Sequence, residues 1–138
     1  MADVPHRQVD DKFYAYPNNK IVGIIDTPDD LQGVLVALKD AGIDLGDIET
    51  LCGQPGIERL DRSGKRHGLV AQLIRLAQFV GEEQTHLQRH EEELAAGHFL
   101  ISVVVGKDES VKGKVRDVLH AHGGHYVHYY GAYAVQDL

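Results

Sequence analysis

The sequence predicts an α+β fold of the ferredoxin-like class, a split βαβ sandwich with an inserted helical hairpin. Two observations lead to this prediction. Apolar, β-branched runs and segments of helical periodicity follow one another in the order β-α-β, two helices, β-α-β. The length of 138 residues, with 43% hydrophobic and 25% charged residues, suits a single domain with its own core. Two right-handed crossovers would then place two helices on one face of an antiparallel sheet.

The first strand is predicted at Lys20–Ile25, a short β-branched run between turn residues that is typical of a strand buried on both faces. The preceding residues 1–19 are polar and contain two prolines, which favours an N-terminal arm. We therefore expect one domain over residues 20–138.

The first helix is predicted to begin at Pro28, because Thr27 can cap it and proline suits the first helical position. It should end near Ala41, before Gly42. The segment Asp47–Cys52 then alternates polar and apolar residues, which indicates a half-exposed strand at a sheet edge.

The middle of the chain is predicted to form the inserted helices, about residues 67–96, after a turn at Gly53–Gly56 and a basic loop at Asp61–Gly68. In the helix predicted over Leu69–Val80 the apolar arc is so wide that the rest of the fold or a partner must cover it. A second, highly charged helix is predicted over about 82–96 and ends at Gly97.

The last third is predicted to form a central strand over His98–Val105, a helix that ends at Gly123, and a final strand from His125 to about Val135. Alternation along this strand places His125, Val127 and Tyr129 on one face. Tyr126, His128 and Tyr130 fall on the other face.

Several segments carry a resemblance to a known family. They are Ile21–Asp26, Leu38–Asp44, Asp47–Glu49, Glu91–Val103 and Val118–Gly124. Over about residues 20–128 they resemble the bacterial YflT-type general-stress-protein domain. That family has no established catalytic residues to carry over, so the resemblance implies a non-catalytic, stress-associated protein.

The segment Gly23–Pro28 is also similar to the opening of an ACT domain, a regulatory module that binds amino acids. This second resemblance implies a small-metabolite sensor with its ligand at a subunit interface.

The charge and hydropathy patterns exclude several partners. A net charge of −7 with neutral histidines gives no electrostatic basis for binding nucleic acid. The longest apolar stretch, Leu69–Val80, is shorter than the roughly 20 residues of a membrane span, and the start of the chain lacks the pattern of a secretory signal. We therefore expect a soluble, cytoplasmic protein.

Histidines are the main candidates for chemistry. His86 and His90 share a face of the predicted helix over 82–96, and Glu93 lies three residues further on. Two imidazoles and a carboxylate are ligands that zinc or iron accepts, with a further ligand from another element. A solvated helix face is the plainer interpretation of the same pattern.

A second group could bind a flat cofactor such as haem, with a histidine as ligand or proton-transfer group. Its members are His98, His125, His128 and Tyr130. These residues could equally serve the core or an interface, where tyrosine and histidine are common.

The leading hypothesis is thus a non-catalytic, stress-associated protein that acts through dimerisation or through a protein partner at the Leu69–Val80 helix. The alternatives are a histidine-based metal- or haem-binding protein and a small-metabolite sensor.

Overall fold

The computed structural model describes residues 19–65, 67–77, 85–131 and 135–138. The arm predicted over residues 1–19 lies outside the described residues, except for Asn19. The strands are β1 Lys20–Ile25, β2 Ile48–Cys52, β3 Ile74–Leu76, β4 Phe99–Val104, β5 His125–Tyr130 and β6 Val135–Asp137. The helices are α1 Pro28–Asp40, α2 Gln54–Ser63, α3 Leu69–Leu73, α4 Thr85–Ala95 and α5 Glu109–Ala121.

The six described strands form one mixed sheet in the order β3-β2-β4-β1-β5-β6. Strand β1 lies between β4 and β5 and is antiparallel to both, and β2 is antiparallel to β4. The edge strand β3 pairs with β2 in parallel, whereas β6 pairs with β5 in antiparallel orientation. The α+β class predicted from the sequence is confirmed.

One face of the sheet carries the main core beneath α1 and α5. Alternate residues of β1 and β4 point into this layer, among them Ile21, Ile25 and Phe99, all with no exposed surface. The two helices contact each other. Gly33 of α1 permits this approach, since a Cβ there would lie 2.7 Å from the ring of His122.

The opposite face carries a smaller cluster that includes the C-terminal part of α4. Leu94 of this helix is 3% exposed and packs with Val22, Leu51 and Leu100 of three neighbouring strands. Burial of these apolar side chains removes them from water and fixes α4 against the sheet. The sheet therefore carries helices on both faces.

The helix predicted over Leu69–Val80 is wrong in its extent. Helix α3 ends at Leu73, and the next three residues form strand β3. The Thr50 hydroxyl donates to the Leu73 carbonyl at 2.7 Å. The backbone of Ile74–Leu76 then pairs in parallel with β2 instead of continuing the helix. Residues 78–80 lie outside the described part of the chain.

Two further expectations about the middle of the chain are also wrong. The edge position predicted for β2 is occupied by β3. Helix α2 covers most of the turn predicted at Gly53–Gly56 and the beginning of the loop predicted at Asp61–Gly68, and its Ile57 and Leu60 are buried. Pro55 lies in the first turn of α2, where its missing N–H costs no hydrogen bond.

The final strand is shorter than predicted, since β5 ends at Tyr130 and β6 is a separate strand. The predicted placement of Val127 and Tyr129 on one face is confirmed, since both join the main core layer. The placement of His125 on that same face is wrong, because the β1–β5 register shifts and His125 pairs with Ile24 while His128 pairs with Val22. On the other face, the rings of Tyr126 and His128 lie 4.4 Å apart between centroids. Among the described residues, no helix has the length and apolar character needed to cross a membrane.

Candidate metal centre

Three strand ends meet at one end of the sheet and bring polar side chains together there. Strand β1 ends at this edge, whereas its antiparallel neighbours β4 and β5 begin there. Because Ile25 pairs with Phe99, the residues just beyond the pair, Asp26 and His98, are neighbours. His125, the first residue of β5, pairs with Ile24.

The end of α4 adds a fourth side chain through its C-cap. Gly97 adopts a left-handed conformation with φ 91°, and its N–H donates to the Leu94 carbonyl at 3.1 Å. The N–H of His98 donates to the Glu93 carbonyl at 3.0 Å. This pair of bonds is a Schellman motif, which reverses the chain and places Glu93 beside His98.

The four side chains form two close imidazole–carboxylate pairs. His98 Nδ1 lies 2.6 Å from Glu93 Oε1, and His125 Nε2 lies 2.7 Å from Asp26 Oδ1. The pairs are joined by the 3.4 Å distance from His98 Nδ1 to Asp26 Oδ1. One ligand atom from each residue falls in a set whose members all lie within 4.8 Å of one another.

This cluster is partly shielded from water. The Glu93 side chain is 14% exposed and that of His98 is 28% exposed, whereas Asp26 and His125 are 44% and 37% exposed. Glu93 thus lies on the inner side of the cluster, and solvent reaches the side of Asp26 and His125. A small solute could enter from that side.

Arg59 of α2 makes hydrogen bonds to the backbone at Asp26 and at the residue before His98. Its Nη1 donates to the carbonyl of Asp26 and to that of Gly97, each at 2.7 Å. A charged donor shared by two carbonyls makes strong hydrogen bonds. The end of β1 and the residue before His98 are therefore held at a fixed separation.

A backbone irregularity follows His125 directly. Tyr126 has φ 51°, a left-handed conformation that a bulky side chain rarely adopts, and the β1–β5 register shifts between Val22 and Ile24. The shift is a β-bulge, a feature that can redirect a side chain at a sheet edge. It lies at the point where His125 meets Asp26.

The helix site predicted from the sequence is only partly assembled. Of its three residues, Glu93 belongs to the cluster, whereas His90 is fully buried and its ring packs edge-on against Tyr126 at 5.7 Å. The His86 side chain lies outside the described residues. Glu93 is instead brought together with His98 and His125, which the sequence placed in the other candidate group.

The predicted cofactor group is divided between two places. His98 and His125 lie in the cluster at the strand ends, with ring centroids 6.5 Å apart. His128 and Tyr130 lie on the sheet face with Tyr126. Burial, and to a lesser degree the neighbouring Tyr126, raise the pKa of Tyr130 well above its ordinary value of 10.0.

Two residues of the site had weak or no signals in the sequence. Asp26 follows a predicted buried strand, a position that allows a ligand role, but the neighbouring Thr27 cap makes a turn role the default. Arg59 lies between the turn and the loop that the sequence predicted, and its two carbonyl partners are 33 and 38 residues away along the chain. Such long-range contacts leave no local pattern.

The chain matches no protein-family model, no curated protein and no solved structure. The resemblances to the general-stress-protein and ACT domains are therefore unsupported by these comparisons and stay predictions.

Proposed function

We propose that this protein binds a divalent transition-metal ion, zinc first among them, through Asp26, Glu93, His98 and His125. The observation that carries the proposal is the convergence of one ligand atom from each residue to within 4.8 Å of all the others. Two imidazoles and two carboxylates suit zinc, and the same donors accept iron(II) or manganese(II).

The size of the cluster supports a bound ion. Zinc ligands at about 2.0–2.2 Å from the ion in tetrahedral geometry lie roughly 3.4 Å from one another. The shortest separation between His98 and Glu93, 2.6 Å, would lengthen, and the longest separations, up to 4.8 Å, would shorten. Each of these changes in separation is about 1 Å.

The surroundings of the four residues also support this function. Metal ligands are commonly oriented by outer hydrogen bonds. Here Arg89 Nε donates to Glu93 Oε2 at 3.2 Å, which leaves Oε1 toward His98. Arg59 fixes the backbone at Asp26 and Gly97.

We rank metal binding above the partner-binding hypothesis because the structure does not contain the helix that was predicted over Leu69–Val80 in its full length. That hypothesis needed a long apolar helix over Leu69–Val80, but α3 ends at Leu73 and buries Val70 within the protein's own core. Dimerisation, association with stress and haem binding stay predictions from the sequence.

The ferredoxin-like topology belongs to the same proposal. It is supported by the antiparallel order β2-β4-β1-β5 in the middle of the sheet. The contact of α1 with α5 supports it as well. In that topology β3 and β6 are additions at the two edges.

Zinc titration of untagged, chelator-treated protein tests the metal site, with bound metal quantified by elemental analysis and affinity by calorimetry. We expect about one zinc ion per chain. The double change His98→Ala and His125→Ala should reduce the affinity by at least about a hundredfold, because the loss of two of four ligands removes most of the coordination energy.

Exposed histidines away from the cluster supply the matched control. The double change His67→Ala and His120→Ala removes the same number of imidazoles and should leave zinc affinity unchanged. Full zinc binding by the His98→Ala, His125→Ala protein would contradict the proposal. Loss of binding in His86→Ala instead would favour the helix site predicted from the sequence.

A further inference from the structure

Arg89 connects the candidate metal centre to a depression beside it. Its Nε donates to Glu93 Oε2 at 3.2 Å, while the other oxygen of the same carboxylate faces His98 at 2.6 Å. The Glu93 carboxylate, itself a proposed metal ligand, therefore lies between the guanidinium and His98.

The guanidinium of Arg89 is held in place by a second contact. Its Cζ lies 4.8 Å from the centre of the Tyr126 ring, a cation–π arrangement. Tyr126 follows His125, and its left-handed backbone at φ 51° sets the direction of the phenol. Arg89 donates to Glu93 through its Nε–H, and its side chain is 44% exposed.

These residues line a shallow depression of about 300 Å³, whose walls are Gln88, Arg89, Glu92 and Tyr126. The volume suits a small organic molecule of a few heavy atoms. The planar fork of donors on arginine matches the two oxygens of a carboxylate. Gln88 can donate a further hydrogen bond from its amide.

The charge balance of this depression depends on the metal. Without an ion, the Arg89 charge faces the carboxylates of Glu92 and Glu93, so the surroundings oppose a second anion. A divalent ion on Glu93 would offset that negative charge and weaken the hold of Glu93 on Arg89. The guanidinium would then be available to an incoming carboxylate.

We propose that Arg89, with Tyr126 as its aromatic support, binds the carboxylate group of a small organic anion, and that it does so only when the neighbouring site holds its metal ion. This inference rests on the proposed function and adds the chemical class of the ligand. Because the two ligands are coupled, the anion must tighten metal binding by the same factor by which the metal tightens anion binding.

Acetate is the probe, and acetamide is its neutral counterpart of the same shape. Each is titrated into zinc-loaded and metal-free protein labelled with nitrogen-15, and binding is followed by amide chemical shifts. We expect the zinc-loaded wild type to bind acetate at least about tenfold more tightly than the metal-free protein. Arg89→Gln should abolish this gain, and acetamide should show none.

Arg62→Gln, at an exposed position of α2, removes one arginine charge elsewhere and should leave acetate binding unchanged. Equal acetate affinity in Arg89→Gln and wild type, both loaded with zinc, would overturn the inference while the metal site stands. If acetate binds equally with and without zinc, the metal dependence is wrong. A wild type that binds no zinc would overturn both proposals, and the zinc titration alone reveals that case.

Discussion

At the scale of single residues, the cluster consists of two imidazole–carboxylate pairs that are already close before any ion binds. The pairs are His98 with Glu93 and His125 with Asp26, at 2.6 and 2.7 Å. A metal ion competes with protons for the nitrogen and oxygen atoms of such ligands, because a histidine nitrogen must be unprotonated to coordinate the ion. Zinc affinity should therefore fall as the pH is lowered.

Arg59 is the residue whose removal should separate positioning from ligation. Arg59→Met deletes both hydrogen bonds to the carbonyls of Asp26 and Gly97 but removes no ligand. We expect zinc affinity to fall about 10- to 100-fold, as is typical when a partner outside the coordination sphere is lost. Calorimetry gives the affinity, and the absorption spectrum of the cobalt(II) form reports the ligand geometry.

The exposed Arg62, three residues along the same helix, provides the comparison for Arg59. Arg62→Met should bind zinc as the wild type does, with an unchanged cobalt spectrum. If Arg59→Met retained both the affinity and the spectrum of the wild type, Arg59 would have no positioning role.

At the scale of elements, the C-terminus of α4 packs on the second face of the sheet and also supplies one residue of the cluster. Leu94 is buried beneath this helix, so its last turn is anchored on the sheet. The Schellman motif that follows turns the chain into β4 and brings Glu93 to His98. The position of one ligand thus depends on the cap of a helix.

Two glycines at helix ends test this dependence. Gly97 after α4 and Gly64 after α2 have similar left-handed φ values of 91° and 75°. Alanine at either position should lower the free energy of unfolding by about 1–2 kcal/mol, because a Cβ disfavours the left-handed region. Urea denaturation measures this loss.

Only one of these two alanines should affect zinc. A Cβ at Gly97 would lie 3.0 Å from Cδ of Arg59, whereas no atom of the described residues lies within 4 Å of a Cβ at Gly64. Gly97→Ala should therefore displace Arg59 and reduce zinc affinity about tenfold or more. Gly64→Ala should lose stability alone, and equal zinc affinities in the two variants would contradict this account.

At the scale of the whole molecule, the sheet buries polar groups on its second face as well as apolar ones. Lys20 at the start of β1 is 3% exposed and lies opposite Tyr130 in the register. Burial lowers the pKa of Lys20 below its ordinary value of 10.5, and the charge of Glu49 offsets part of this effect. Keeping this amine charged in the folded state therefore lowers the free energy of unfolding.

Lys20 should therefore make stability depend on pH. The lowered pKa means that the folded state binds the proton of Lys20 less tightly than the unfolded state does. The resulting reduction in the free energy of unfolding is therefore largest below the folded-state pKa. It is relieved as the pH rises toward 10.5, and the free energy of unfolding should increase over that range. Lys20→Met should be more stable than the wild type at pH 7, with a difference that narrows at higher pH.

Urea denaturation at several pH values up to about 9.5, below the ordinary ionisation of tyrosine, measures this difference. The exposed Lys107→Met is the control and should show no difference that narrows with pH. A difference in the free energy of unfolding between Lys20→Met and wild type that stays constant across this range would show that Lys20 does not cause the pH dependence.

Local patterns in the sequence determined much of this fold. Thr27 and the proline after it define the start of α1. The Thr27 hydroxyl accepts a hydrogen bond from the Asp30 N–H at 3.0 Å, as an N-cap residue does. The short, β-branched apolar runs indicate β1 and β4, since strands buried on both faces are almost continuously apolar. Glycine marks the end of α4 through its freedom to adopt positive φ.

The tertiary structure decided what these patterns leave open. Whether Ile74–Leu76 continues a helix or joins a sheet depends on β2 beside it, because a short apolar run suits either state. The membership of the candidate site likewise depends on strand order and register: His125 meets Asp26 across 99 residues of chain. Sequence spacing along one helix could nominate Glu93, but only the antiparallel neighbours of β1 bring His98 and His125 to it.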